Sequence, residues 1–138
     1  MANQIYRGTK QRDTHFLPAT TALLPGTVVS ITAGKFAFAT TAKGRLFALD
    51  ARQKDGDVTV AYEVDETAGA YEIMAEDELQ LLAVTANYTD QQELSVNAAN
   101  GYLKAAGAGE VVVAFADGAQ NLTADGFLQV VAADKYTK

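Results

Sequence analysis

Apolar and polar residues alternate with a two-residue period along much of this chain, and the alternation is clearest over residues 57–64. There Val58, Val60, Tyr62 and Val64 fall on one side of an extended backbone, and Thr59, Ala61, Glu63 and Asp65 on the other. That period predicts a strand with one buried face. The order glycine, acid, three strand formers, alanine, aromatic seen at residues 56–62 returns at residues 109–115, so an echo strand is expected over 110–116. Strands are also expected over residues 27–32, 36–40, 45–50, 70–74, 93–96, 102–105 and 126–132, with glycine-centred turns between many of them. Asn100-Gly101 carries the strongest short hairpin signal. Residues 74–83 have helix-forming composition, yet the alternation of Leu79, Leu81 and Ala83 favours a strand from 78 to 86.

No sustained amphipathic helix emerges. The pattern therefore predicts an all-β fold, an antiparallel β-barrel or β-sandwich of about nine or ten short strands. Residues 30–40 with 56–62 partly match residues 95–105 with 109–115, a hint of two related halves. Residues 1–24 have no sustained period and end at Pro25-Gly26, a turn pair. They are expected to form an extended N-terminal arm on a single β-domain spanning 25–138. Ile5, Tyr6, Phe16 and Leu17 are residues that a solvated tail usually lacks, and they suggest anchors for a surface.

Composition narrows the function classes. The chain of 138 residues has a net charge of -6 and no cysteine. Disulfides and thiolate metal sites are excluded. Arg7, Lys10 and Arg12 face only Asp13 in the first 27 residues, and no Lys or Arg occurs over 55–102, so a basic arm precedes an acidic body. A nucleic-acid partner is not expected of such a body. Neither a signal-peptide pattern nor a run of about 20 apolar residues occurs, so a cytoplasmically made protein with no membrane partner is expected.

Candidate chemistry is sparse. His15 is the sole histidine and stands in the arm, so neither a catalytic triad nor a zinc site is expected. Asp50, Asp55 and Asp57 could face a hard cation, but they lack the EF-hand spacing. Glu63, Asp65, Glu72, Glu76 and Glu78 could supply paired carboxylates, without a tryptophan platform to mark a sugar site. The glycine-rich residues 106–109 precede a strand and lack a P-loop lysine. The residues point to no enzyme, cofactor or metal.

Leu24-Pro25-Gly26-Thr27-Val28-Val29, residues 36–40, Gly44-Arg45-Leu46-Phe47-Ala48-Leu49-Asp50 and Gly56-Asp57-Val58 with Ala61-Tyr62 make up a series of glycine turns and apolar strands. Leu94-Ser95-Val96, Asn100-Gly101-Tyr102-Leu103, residues 109–115 and Gly126-Phe127-Leu128-Gln129-Val130 continue it. This series resembles the capsid decoration, or cement, proteins of tailed bacteriophages over nearly all of the chain after Leu24. The resemblance implies a non-enzymatic virion protein that binds the outer surface of the expanded head and holds major capsid proteins together. It also implies a homo-oligomer, a trimer at three-fold positions, or neighbouring copies on the capsid. In that reading Ile5, Tyr6, Arg7, Lys10, Arg12, His15, Phe16 and Leu17 of the arm form the capsid interface. An arm of about 25 residues spans up to roughly 80 Å at about 3.3 Å per residue. The other reading of the residues is a carbohydrate- or receptor-binding β-module of a phage fibre or surface protein, with Tyr88 or Tyr102 as platforms.

Overall fold

The computed structural model describes residues 4–8, 13–51 and 56–138. Among these residues the chain is all-β, with twelve strands and no helix. The first five, β1 (His15–Pro18), β2 (Val28–Thr32), β3 (Lys35–Phe38), β4 (Phe47–Leu49) and β5 (Thr67–Glu72), make one sheet in the order β1-β5-β4-β2-β3. A closed barrel follows, built from β6 (Glu78–Ala83), β8 (Glu93–Val96), β9 (Leu103–Ala105), β10 (Val111–Ala116) and β12 (Gly126–Thr137). The short strands β7 (Ala86–Tyr88) and β11 (Gln120–Leu122) pair separately.

The two groups share one topology. Around the barrel the order is β6-β12-β10-β8-β9, and β9 returns to β6 through the parallel pair Ala83–Leu103. In the first sheet the corresponding parallel bridge, Ala19–Phe36, joins the two outer strands. The Thr20 N–H donates to Phe36 O at 2.9 Å, and Val84 N–H donates to Leu103 O at the same distance. Registers agree pair by pair. Val29–Phe47 matches Leu94–Ala114, Leu49–Ala70 matches Ala116–Val130, and Leu17–Ala68 matches Leu81–Leu128. Even the turn before the second strand of each half is shared, since Gly26 N–H bonds Leu49 O and Gln91 N–H bonds Ala116 O. Both turn residues are left-handed, with φ of 89° and 63°. The Leu23–Tyr62 bridge occupies the place of the β7–β11 pair.

Large and small residues trade places between the two cores. Phe36 and Phe47 face Ala68 and Ala70 in the first half, whereas Leu103 and Ala114 accompany Leu128 and Val130 in the second; all eight are buried. Such volume-conserving exchange keeps a core filled while erasing sequence identity. A larger cluster joins the halves, because Val28 and Ala48 pack with Leu81, Leu103 and Leu128. Backbone bonds Leu82 N–H to Gly26 O (2.9 Å) and Val28 N–H to Gly101 O (3.1 Å) cross the same junction. Gly101 must be glycine there: its φ is 75°, and a Cβ would stand 2.7 Å from Val28 O.

Several expectations are corrected. Residues 57–64 do not form a strand; they make turns and one bridge at Tyr62. Asp57 accepts from both the N–H (2.9 Å) and the hydroxyl (2.6 Å) of Thr59, and a second turn closes through Glu63 N–H to Glu66 Oε1. These local side-chain bonds offer the backbone an alternative to a ladder. Val58 and Tyr62 are consequently buried, while Val60 and Val64 are exposed. The strand over 110–116 does form, as β10, but its counterpart is β4 and the loop before it. Strand β5 begins at Thr67, three residues before the expected start at 70, and β12 runs on to Thr137, past the expected end at 132. The chain also does not divide at Leu24, since β1 lies within the first sheet, paired to β5.

Candidate functional site

The residues expected to reach a partner from an arm are mostly held against the body of the chain. Ile5 is 1% exposed and belongs to the larger core cluster. Its carbonyl accepts from Gln80 N–H at 2.7 Å, Tyr6 bridges Leu79, and Arg7 N–H donates to Glu78 O at 2.8 Å. Residues 5–7 thus add a short antiparallel strand to the outer edge of β6. Arg7 fixes it further, with Nε on Leu79 O, one Nη on Val130 O, and an ion pair to Asp117 at 3.2 Å. The Tyr6 ring packs at 5.9 Å from that of Tyr71. His15 turns inward, edge-on to Phe47 at 5.3 Å, and Leu17 packs on the first-half core. Lys10 and Arg12 lie outside the described residues. Phe16 is the one of these side chains that the structure leaves largely exposed, at 50%.

That exposure is informative because of the repeat. The position of Phe16 in the first half is taken in the second by Gln80, which is 2% exposed beneath residues 5–7. Similarly, Ile31 is 42% exposed, whereas its counterpart Val96 is 7% exposed. Equivalent positions are therefore covered in one half and open in the other. Apolar side chains left open in this way mark a surface that gains by being covered. Sequence reading named Phe16 but missed Ile31, whose partner across the hairpin, Phe36, is buried.

No family model matches the chain, and no curated protein matches it.

Other places offer little chemistry. Among the described residues no group of three or more His, Asp or Glu side chains is gathered to hold a metal ion. Asp50 is buried and accepts from the Tyr71 hydroxyl at 3.2 Å, Asp57 is engaged by Thr59, and Asp55 lies outside the described residues. Thr59 holds the Asp57 carboxyl below its ordinary range through those bonds. Tyr88 cannot serve as a sugar platform: it is fully buried, its hydroxyl donates to Val84 O at 2.6 Å, and burial raises its pKa. Tyr102 instead borders an open groove of about 380 Å³ between the halves, with Leu24, Phe38 and Asn100.

Near the C-terminus charged groups clip β12 in place. The Tyr136 hydroxyl donates to Glu93 at 2.6 Å and Lys138 stands 3.4 Å away, which together hold the Glu93 carboxyl below the usual glutamate range. Lys104 at 2.6 Å, with the Gly107 N–H, does the same for Glu110.

Proposed function

We propose that this chain is a structural decoration protein of a phage capsid, binding the outer surface of the head and bridging major capsid proteins without catalysis. The observation that carries the reading is that two apolar side chains of the first half, Phe16 and Ile31, stand open where their counterparts Gln80 and Val96 are covered. Side chains open in that way call for a macromolecular partner, and the resemblance of the strand and turn series supplies the class of partner. A lattice of identical sites would multiply modest contacts into firm attachment. Localisation on the virion and association of copies around three-fold positions belong to the same proposal.

The interface proposed here is Phe16 and Ile31 on the first-half sheet. Ile5, Tyr6 and Arg7 act within the chain, as the strand that completes the second half. Cosedimentation of the full chain with expanded empty heads tests the reading. Saturable binding that persists at high salt is the expected result, because apolar burial is not screened. Absence of cosedimentation at any salt would refute it. The carbohydrate-binding alternative rests on the groove at Tyr102, and reproducible glycan-array hits abolished by Tyr102→Ala would favour it.

A further inference from the structure

Strand β1 has an outer edge whose hydrogen-bonding direction follows from its neighbours. Asp50 N–H donates to Gly69 O at 2.8 Å, so the polar groups of Gly69 point toward β4 and away from β1. Gly69 lies opposite Phe16, and the N–H and C=O of Phe16 therefore point away from the sheet. The second half repeats this arrangement, with Asp117 N–H on Gln129 O and Gln129 opposite Gln80. There the outward N–H of Gln80 is satisfied by Ile5 O. At Phe16 no described residue fills the equivalent place. Two residues earlier on the chain, the Thr14 hydroxyl oxygen is shielded from solvent with no hydrogen-bond partner among the described residues. Thr14 and Phe16 both stand over Gly69, where a Cβ would meet them at 3.0 and 3.4 Å.

We infer that the outer edge of β1, centred on Phe16, is an acceptor for an extended strand contributed by the capsid protein. The chain's own residues 5–7 show the form of the occupant. It runs antiparallel to β1, its carbonyl accepts from Phe16 N–H, and the N–H two residues later donates to Thr14 O, as Arg7 N–H does to Glu78 O. An apolar side chain in the place of Ile5 suits the occupant, since Ile5 itself is buried in the larger core cluster. A basic residue in the place of Arg7 is not required, because Asp50, the counterpart of Asp117, is buried and bonded to Tyr71. The partner's identity rests on the decoration reading; the acceptor edge itself does not.

Two measurements on the full chain separate these claims. In the first, a capped peptide of residues 4–8 is added at millimolar concentration and amide exchange is followed by NMR. Slowing at Phe16 by at least fivefold supports the acceptor edge, and perturbation confined to Leu79 and Gln80, or none, overturns it. The second uses Phe16→Pro, which removes an N–H that the fold does not use and is tolerated on an edge strand. This variant is expected to keep the wild-type circular dichroism and melting while binding expanded heads at least tenfold more weakly than Phe16→Ala, which loses the same ring but keeps the N–H; equal binding by the two overturns the acceptor proposal. Wild-type binding by a folded Phe16→Pro overturns the acceptor proposal and removes Phe16 from the interface, while the head binding itself keeps the decoration reading standing. Loss of all head binding by wild type, with Phe16 still slowed by the peptide, rejects the decoration reading alone. A dimer in sedimentation that Phe16→Pro abolishes assigns the edge to a second copy and overturns the proposed occupant.

Discussion

The Gln80 amide donates to the Ile5 carbonyl at 2.7 Å, tying the start of the chain to a strand of its second half. The first residues are thus part of the fold, and an Ile5 side chain with 1% exposure fills space that nothing else fills. Ile5→Ala is expected to cost about 2–4 kcal/mol by denaturant unfolding, in the range for large-to-small core changes. A deletion of residues 1–8 should likewise raise amide exchange at Gln80 toward that of an unpaired edge.

Gly101 and Gly109 both have positive φ, of 75° and 82°, but only Gly101 is crowded. Gly109→Ala bears only the left-handed strain, about 1–2 kcal/mol. Gly101→Ala adds a clash with Val28 O and Phe38 at the junction of the halves, so a loss larger by about 1–3 kcal/mol is expected. Equal losses in chemical denaturation would show that the backbone approach at this junction is not constraining.

Tyr62 stands where a strand was expected and none formed. It is fully buried, and its hydroxyl donates to Asp50 O at 2.6 Å. Tyr62→Phe leaves the ring in place and removes this buried hydrogen bond to the Asp50 carbonyl, for an expected loss of about 1–2 kcal/mol. Thermal unfolding of the variant, compared with Tyr136→Phe, checks this.

The C-terminal clip should respond to acid. Glu93 and Glu110 titrate below the ordinary glutamate value of 4.5 in the folded chain. Their stabilisation is fully present above that value and is lost as pH falls through the lower folded pKa. Protection of the Lys138 amide, whose N–H donates to Glu110 O, is therefore expected to fall on acidification, so that its exchange slows less than base catalysis alone predicts, and Glu110→Gln should remove part of that response.

The fold class was legible because alternation and glycine turns are local signals, and Glu93–Val96 falls where the period places it. The misplacement of residues 57–64 has a local cause too: the Asp57–Thr59 and Glu63–Glu66 bonds outcompete a ladder that their β-branched neighbours favour. The repeat was only hinted at: residues 30–40 do correspond to 95–105, but 109–115 were matched to residues 56–62 in place of β4, because Phe47 and Ala70 became Ala114 and Val130 while the register stayed the same. Phe16 could be singled out as an apolar residue in a polar stretch. That it is open while Ile5 is buried depends on which edge the first residues reach, a long-range pairing that no local pattern encodes.

The most direct test of the decoration reading is the thermal rupture of expanded empty heads with and without saturating protein. A bridging protein binds the intact lattice more tightly than its fragments, so the rupture temperature is expected to rise with protein concentration and to level off at a fixed number of copies per head. An unchanged rupture temperature at concentrations that saturate any binding would contradict it.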